Sequence, residues 1–346
     1  MKQILFIITL LIFYGCQKEK ITFSSDASDV FYVENAGAAM RVLVQGNTSS
    51  KIFVLVIHGG PGVSSYFYDT KYIGKNLGDR CAMVYWDQRN AGASQGTSNG
   101  NELHLDQMSE DLKKVIEVLK YRYGQDMRLF LLGHSFGGLI LADFITKPGY
   151  QDMIDGLIYV DGSHNYPLND TLTRQMLLTE GQYAVSQKKH VSEWQPIINY
   201  CSSHTGNFNL EESQQLEQYA TNAENYIDSI NHINIATQLV RYTIPGKYPL
   251  TAILSNLLYN EDSNFNEELA VTNLSPSLKI VTIPALVLWG KYDFTCPLPL
   301  GEDFYNQISS IDKKMVVSPK SGHNMILQDK KLFCNEVAAF VLRISN

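Results

Sequence analysis

The chain has no block of basic residues, no apolar run long enough to cross a bilayer, and no cysteine or histidine spacing of the metal-binding kind. Its 28 Lys and Arg are outnumbered by 35 Asp and Glu, and the formal charge of −7 is spread along the chain. With no positive patch to draw a phosphate backbone, nucleic acid is not an expected partner. The longest apolar stretch has eleven residues, where a spanning helix needs about 20. Cys16, Cys81, Cys201, Cys296 and Cys334 are too widely and irregularly spaced for a disulfide scaffold or a zinc site. There is no internal repeat, no low-complexity segment and no cofactor motif, so no cofactor or metal is expected. What is present is 346 residues, 45% of them hydrophobic, enough to bury a large core. That length suggests two domains, or one domain with a large insertion.

The N-terminus is set apart as a targeting segment. Lys2 supplies a positive end, and Ile4 to Tyr14 is apolar apart from Thr9. Gly15 then precedes Cys16, which is followed at once by Gln17-Lys18-Glu19-Lys20. A small residue before a cysteine at this place resembles a bacterial lipoprotein signal. The resemblance implies removal of residues 1–15 and lipidation of Cys16. The chain is then exported and held by its lipid alone on the periplasmic or cell-surface side. Disulfides are possible there, and the four remaining cysteines allow three full pairings among which sequence does not choose. Their spacing favours free, buried thiols.

Beyond the leader, strand and helix patterns alternate. Val30 to Glu34 and Met40 to Val44, with Asn35 and Gly37 between them, read as an antiparallel hairpin. Ile52 to Ile57, Ala82 to Trp86, Leu129 to Leu132, Leu157 to Val160 and Ala285 to Trp289 are continuous apolar runs too short for helices. Such runs are strands buried on both faces. Between His104 and Tyr123, apolar residues at 105, 108, 112, 115, 116, 119 and 123 give a helix one apolar face. A last strand over Lys314 to Val317 and a helix from about Leu332 to Arg343 close the chain. The expected fold is α/β, with a mostly parallel central sheet flanked by helices. The alternation stops for about 120 residues, so core segments 16–162 and 280–346 flank a 163–279 insertion. Leu216, Tyr219, Ala220, Ala223, Tyr226, Ile227 and Ile230 keep helical spacing, which makes that insertion a mainly helical cap. Its expected place is over the carboxyl ends of the strands, where α/β sheets bind ligands.

The most informative stretch is Gly133-His134-Ser135-Phe136-Gly137, a Gly-x-Ser-x-Gly between an apolar strand and an amphipathic helix. A hydroxyl on such a turn is exposed beside a helix N-terminus and becomes a nucleophile if a base stands next to it. On this topology the acid and the base follow the serine in that order, after late strands. Asp293 follows the strand ending at Trp289-Gly290, and His323 follows the next strand. Ser135, Asp293 and His323 are therefore the expected catalytic set. Asp161, also after a strand, is the rival acid, and its loop should lie farther from the histidine. His58 and His134 precede the serine and read as turn-packing residues. Oxyanion donors are expected from the backbone of Phe136 and of Gly60, with Gly59 as second choice.

Three motifs carry a further resemblance: His58-Gly59-Gly60-Pro61-Gly62, Asp87-Gln88-Arg89-Asn90-Ala91-Gly92-Ala93-Ser94, and Gly290-Lys291-Tyr292-Asp293 with Cys296-Pro297. Together they resemble the proline iminopeptidase family of α/β-hydrolases, serine peptidases that remove an N-terminal residue. The resemblance implies that fold, the same triad and a short-peptide substrate. Asn90 stands where that family has glycine, a position asparagine tolerates in left-handed backbone. The cap lacks the family's Trp-x-x-Trp-Glu segment, whose carboxylate helps hold the substrate amine. Glu224-Asn225-Tyr226 is similar to a second amine-binding segment, although a glutamate on so polar a helix is ordinarily solvated.

The leading functional expectation is thus a serine aminopeptidase cleaving short peptides through an acyl-enzyme on Ser135. A carboxylesterase or other acyl hydrolase with the same triad is the alternative. The third is a catalytically silent, lipid-anchored binding protein. Composition does not decide the oligomeric state.

Overall fold

A computed structural model describes residues 21–96, 103–233 and 263–345. The expected signal at 1–15 and Cys16 lie outside the described residues. In chain order the elements begin with β1 (Ala27–Asn35), β2 (Ala38–Gly46), β3 (Ile52–Ile57), α1 (Lys71–Leu77), β4 (Ala82–Trp86) and β5 (Gln95–Gly96). Next come α2 (Leu105–Tyr123), β6 (Arg128–His134), α3 (Phe136–Thr146) and β7 (Gly156–Val160). Among the described residues, the helices before the next strand are α4 (Tyr166–Ser186), α5 (Val191–Ser203), α6 (Leu210–Glu224) and α7 (Ser263–Val271). The chain closes with β8 (Ala285–Gly290), α8 (Leu298–Gln307), β9 (Lys313–Ser318), α9 (Met325–Gln328) and α10 (Lys330–Ser345).

The sheet runs β1-β2-β4-β3-β6-β7-β8-β9, with the short β5 paired to β2. β1 and β2 form the expected antiparallel hairpin, and every pairing from β4 through β9 is parallel. The parallel strands are apolar throughout because both faces are covered. Phe53, Leu55, Leu129, Leu131 and Val287 pack with Leu112, Val115 and Leu119 of α2, Leu139 and Phe144 of α3, and Phe304 of α8. Their alternating neighbours Val54, Val56, Phe130, Leu132 and Leu286 pack with Ile73 and Leu77 of α1 and Phe333, Val337 and Val341 of α10. Leu105, Met108, Leu112, Val115, Ile116, Leu119 and Tyr123 are the buried face of α2, as their spacing predicts. Cys81, Cys201, Cys296 and Cys334 are all free and buried. Among the described residues no helix is long and apolar enough to cross a membrane.

Among the described residues, Phe265 and Leu269 of α7 join the core on the sheet, whereas α4, α5 and α6 carry their own apolar cluster. Leu177, Trp194, Ile197, Leu216 and Ala220 meet there, and Phe294 reaches into it from the loop after β8. One expectation is corrected in detail. The helical spacing read from Leu216 to Ile230 holds only to Glu224, where α6 ends at an Asn225 cap. Tyr226 and Ile227 still pack against the cluster, but from turns.

The Asp87 to Ser94 motif proves to be a brace. Asp87 Oδ1 accepts from Ser64 Oγ, Ser65 N–H and Ser65 Oγ at 2.7–2.9 Å, and Oδ2 accepts from Ala93 N–H. Asn90 takes the left-handed backbone its side chain tolerates, at φ 54°. Arg89 forms a paired bond to Asp111 of α2, Nε to Oδ2 at 2.6 Å and Nη2 to Oδ1 at 2.9 Å, with both side chains 0% exposed. Asn35 Nδ2 also donates to Asp111, tying the hairpin to the same point. Removing one member of a buried, hydrogen-bonded ion pair strands the other's charge, at a cost of about 3–5 kcal/mol. Asp111→Ala should therefore lower the stability measured by urea unfolding by about that amount. An unchanged unfolding midpoint would show that the pair does not hold this region.

Candidate active site

The residues expected to form the catalytic site lie at the ends of parallel strands. Gly59 and Gly60 come after β3, Ser135 after β6, Asp161 after β7, Asp293 after β8 and His323 after β9. In the sheet β6 and β9 are three strand spacings apart, roughly 14 Å at the usual interval. The histidine loop must therefore turn back across the strand ends to reach the serine. It does: Ser135 Oγ lies 2.8 Å from His323 Nε2, and His323 Nδ1 lies 3.0 Å from Asp293 Oδ2. Order along the chain thus brings together the three residues expected from sequence.

Ser135 sits alone between β6 and α3 at φ 55° and ψ −126°, which lifts its side chain out of the strand line. The turn is possible because its flanks are bare. A Cβ at Gly137 would fall 2.0 Å from the Ile57 carbonyl oxygen, and one at Gly133 would fall 2.7 Å from that of Gly137. With Nδ1–H donating to Asp293, Nε2 is left as the acceptor facing the serine hydroxyl. Asp293 is fully buried, and its Oδ1 accepts from Cys296 N–H at 2.7 Å. Burial alone would depress the His323 imidazole. The Asp293 charge and hydrogen bond, helped by Asp161 and Glu224, outweigh it and lift the pKa to about 9. Burial holds Asp161, Glu224 and Asp293 all above the ordinary carboxylate range, and Asp293 does most of the lifting because it alone bonds the ring.

Asp161 does not touch the ring. Its Oδ1 accepts from Gly290 N–H at 2.8 Å and its Oδ2 from Met325 N–H at 3.1 Å, so it joins the acid loop to the histidine loop. His58 and His134 are packed into turns. His58 Nε2 accepts from Gln88 N–H, which leaves its Nδ1–H to donate to Gly59 O. His134 Nδ1 accepts from Tyr68 Oη at 2.7 Å, while Nε2–H donates to the His323 carbonyl at 2.8 Å. Burial and the neighbouring His323 push the His134 pKa down to about 3, so it stays neutral. Gly59 N–H donates to Tyr68 Oη at 3.1 Å and is already engaged. Gly60, at φ 126°, lines the same space as Ser135 and is the better oxyanion candidate beside Phe136.

The structure changes the reading of Glu224. It is half-buried, and its Oε1 accepts from His323 N–H at 2.8 Å, so the cap reaches down and holds the histidine loop. Burial first, then Asp293, raises its pKa to about 7. Sequence reasoning also passed over Glu217, seven residues earlier on the same helix face, and Tyr68 below the glycine turn. The signal for Glu217 was its place beside the apolar Leu216, Ala220 and Ala223 positions. It lines a cavity of about 710 Å³ that opens beneath the cap, together with Ser135, Phe136, Tyr166, Asp170 and Cys296. Asp170, which accepts from Ser213 Oγ, is raised to about 6 by burial. Asp293, Cys296 and His323 place three potential metal ligands within 4.8 Å. Two of these already bond each other, and burial holds the Cys296 thiol well above its usual pKa, so the group does not offer a metal three free donors.

The imidazole must be neutral to accept the serine proton, so activity should fall as pH drops through the His323 pKa. Glu224→Gln keeps an acceptor for His323 N–H but removes a negative charge that favours the imidazolium. The acid limb of kcat/KM should therefore move to lower pH, and Asp293→Asn should cost about 10⁴ in kcat at neutral pH. A Glu224→Gln limb that stays in place, or moves up, would show that its charge does not act on the base.

The chain has low-identity relatives among hydrolases. It is 21% identical over 318 residues to "Probable aminopeptidase YbaC" of Bacillus subtilis (strain 168), covering 87% of this chain and 95% of that one. Among solved structures, proline iminopeptidase of Mycobacterium smegmatis superposes with a TM-score of 0.62 at 16% identity, covering 92% of this chain and 99% of that one. An esterase from Exiguobacterium antarcticum gives 0.60 at 17% identity, with 90% and 99% covered. At such identities the superpositions show the fold alone. The sequence profile of the alpha/beta hydrolase fold family matches residues 52–330, from the first strand of the parallel core to the start of α10, and the chain belongs to that family.

Proposed function

We propose that the protein is a serine hydrolase of the aminopeptidase type, removing N-terminal residues from short peptides. Ser135 Oγ attacks the carbonyl carbon while His323 Nε2 takes its proton. The oxyanion is met by the Gly60 and Phe136 N–H groups. His323 then protonates the departing amine as the C–N bond breaks. Water, deprotonated by the same imidazole, releases the acyl group from Ser135 as a carboxylic acid.

One observation favours an amine-bearing substrate. The Glu217 carboxyl opens into the cavity that holds Ser135, and among the described residues no cation or hydrogen-bond donor is paired with it. Its side chain is exposed to that cavity, and the protein packed around it holds the carboxyl above its ordinary pKa, with no bonded cation to lower it. A peptide α-amine, with a pKa of about 7.7–8.0, is cationic at neutral pH and would supply that partner. Asp170 on the same wall offers a second acceptor. The carboxylesterase reading keeps the triad and draws on the missing Trp-x-x-Trp-Glu segment.

The two readings part on Glu217→Gln. A charge-assisted hydrogen bond is worth about 1.5–3 kcal/mol, so the variant should lose about tenfold to a hundredfold in kcat/KM on an amino-acyl arylamide. It should lose little on a short acyl ester that has no amine. Equal losses on both substrates, or ester turnover with no arylamide turnover in the parent protein, would remove the aminopeptidase reading.

A further inference from the structure

A second cavity, of about 280 Å³, also opens at Ser135. Gly60, Ser135, Glu217 and Thr295 belong to the walls of both cavities, so the two meet at the serine. Their other walls differ. The larger cavity is bounded by Phe136 and by polar groups of the cap, Asn169, Asp170, Ser213 and Gln214 among them. The smaller one has His323 in its wall, with the apolar Val63, Phe67, Ile233 and Leu327 around it.

We propose that the smaller cavity is the leaving-group subsite and that it selects an apolar or aromatic residue directly after the cleaved bond. The assignment comes from where the proton must go. When the C–N bond breaks, the departing nitrogen takes its proton from His323 Nε2, so it must lie within hydrogen-bond reach of that atom. The leaving residue is then on the side walled by His323. The acyl part, which stays bonded to Ser135, points toward Phe136, Asp170 and the larger cavity. Glu217 stands at the junction, where the α-amine of a single N-terminal residue falls. A volume near 280 Å³ lies just below the usual range of drug-sized pockets, about 300–1,000 Å³, and so suits one side chain rather than a long segment. The proposal rests on the serine-hydrolase chemistry above but not on the substrate being a peptide.

A series of N-terminally free dipeptide amides tests it, with the first residue fixed and the second varied through Phe, Leu, Gly and Asp. kcat/KM should be at least tenfold higher for Phe and Leu than for Gly or Asp, the scale of one well-filled apolar subsite. Phe67→Ala and Leu327→Ala should each reduce that preference. The reduction should be confined to acylation, because the leaving group has gone before the acyl-enzyme hydrolyses. Fluorophosphonate labelling of Ser135 shows which variants remain folded, and the parent series needs no variant at all. If peptides are not cleaved but esters are, the aminopeptidase reading fails on its own. The same variants should then shift preference among leaving alcohols. The assignment is overturned if preference is flat across the second residue. It is equally overturned if the variants slow hydrolysis of a preformed acyl-enzyme as much as its formation, which would place the acyl group in this cavity.

Discussion

The histidine and the serine it serves stand on strands that are not neighbours, and the architecture of the site answers that separation. β7 and β8 lie between β6 and β9, so the loop after β9 must be carried back across two strand ends and held there. Three groups hold it, each from a different direction. His134 Nε2–H bonds the His323 carbonyl, Glu224 Oε1 takes the His323 N–H, and Asp161 Oδ2 takes the Met325 N–H two residues on. Asp161 is in turn fixed to β8 through Gly290 N–H. The imidazole's position is thus set from the end of β7, from the turn that carries Ser135 and from the cap.

That solution gathers acids. Asp161, Asp293 and Glu224 all lie near one imidazole, where burial raises the pKa of each and the Asp293 charge adds to the rise at Asp161 and Glu224. Geometry assigns them separate work. Asp293 alone meets a ring nitrogen, while Asp161 and Glu224 accept from backbone N–H groups. Ser135 bears a different cost, its left-handed backbone, of order 1–3 kcal/mol. It is held by Ser135 N–H to Val160 O and by Gly138 and Ser163 N–H to Ser135 O. β7, which bears none of Ser135, Asp293 and His323, is therefore part of the site's support.

Much of this was legible in the residues. Ile52 to Ile57 and Leu129 to Leu132 announce strands buried on both faces, and the topology then sets the order of the loops at their carboxyl ends. That is why Ser135, Asp293 and His323 could be named, and why Asp293 ranked above Asp161. Glu224 could not be read correctly. Whether a glutamate on a helix rich in Asn and Gln is solvated depends on what lies opposite it, here the histidine loop. The end of α6 at Glu224 was hidden for a similar reason. Tyr226 and Ile227 are apolar because they pack on the cap cluster, and that packing continues after the helical hydrogen bonds stop. Glu217 shows the same limit, since the cavity it faces is made by segments far apart in sequence.

The central claim is that Ser135 is a nucleophile activated by His323. The most direct measurement is intact-protein and peptide mass spectrometry after brief exposure to a fluorophosphonate, on the parent protein and on Ser135→Ala and His323→Ala. One adduct per chain on the peptide holding Ser135 is expected in the parent. None is expected in Ser135→Ala, and labelling of His323→Ala should be slower by several orders of magnitude. An adduct on another residue, or labelling of His323→Ala at the parent rate, would contradict it.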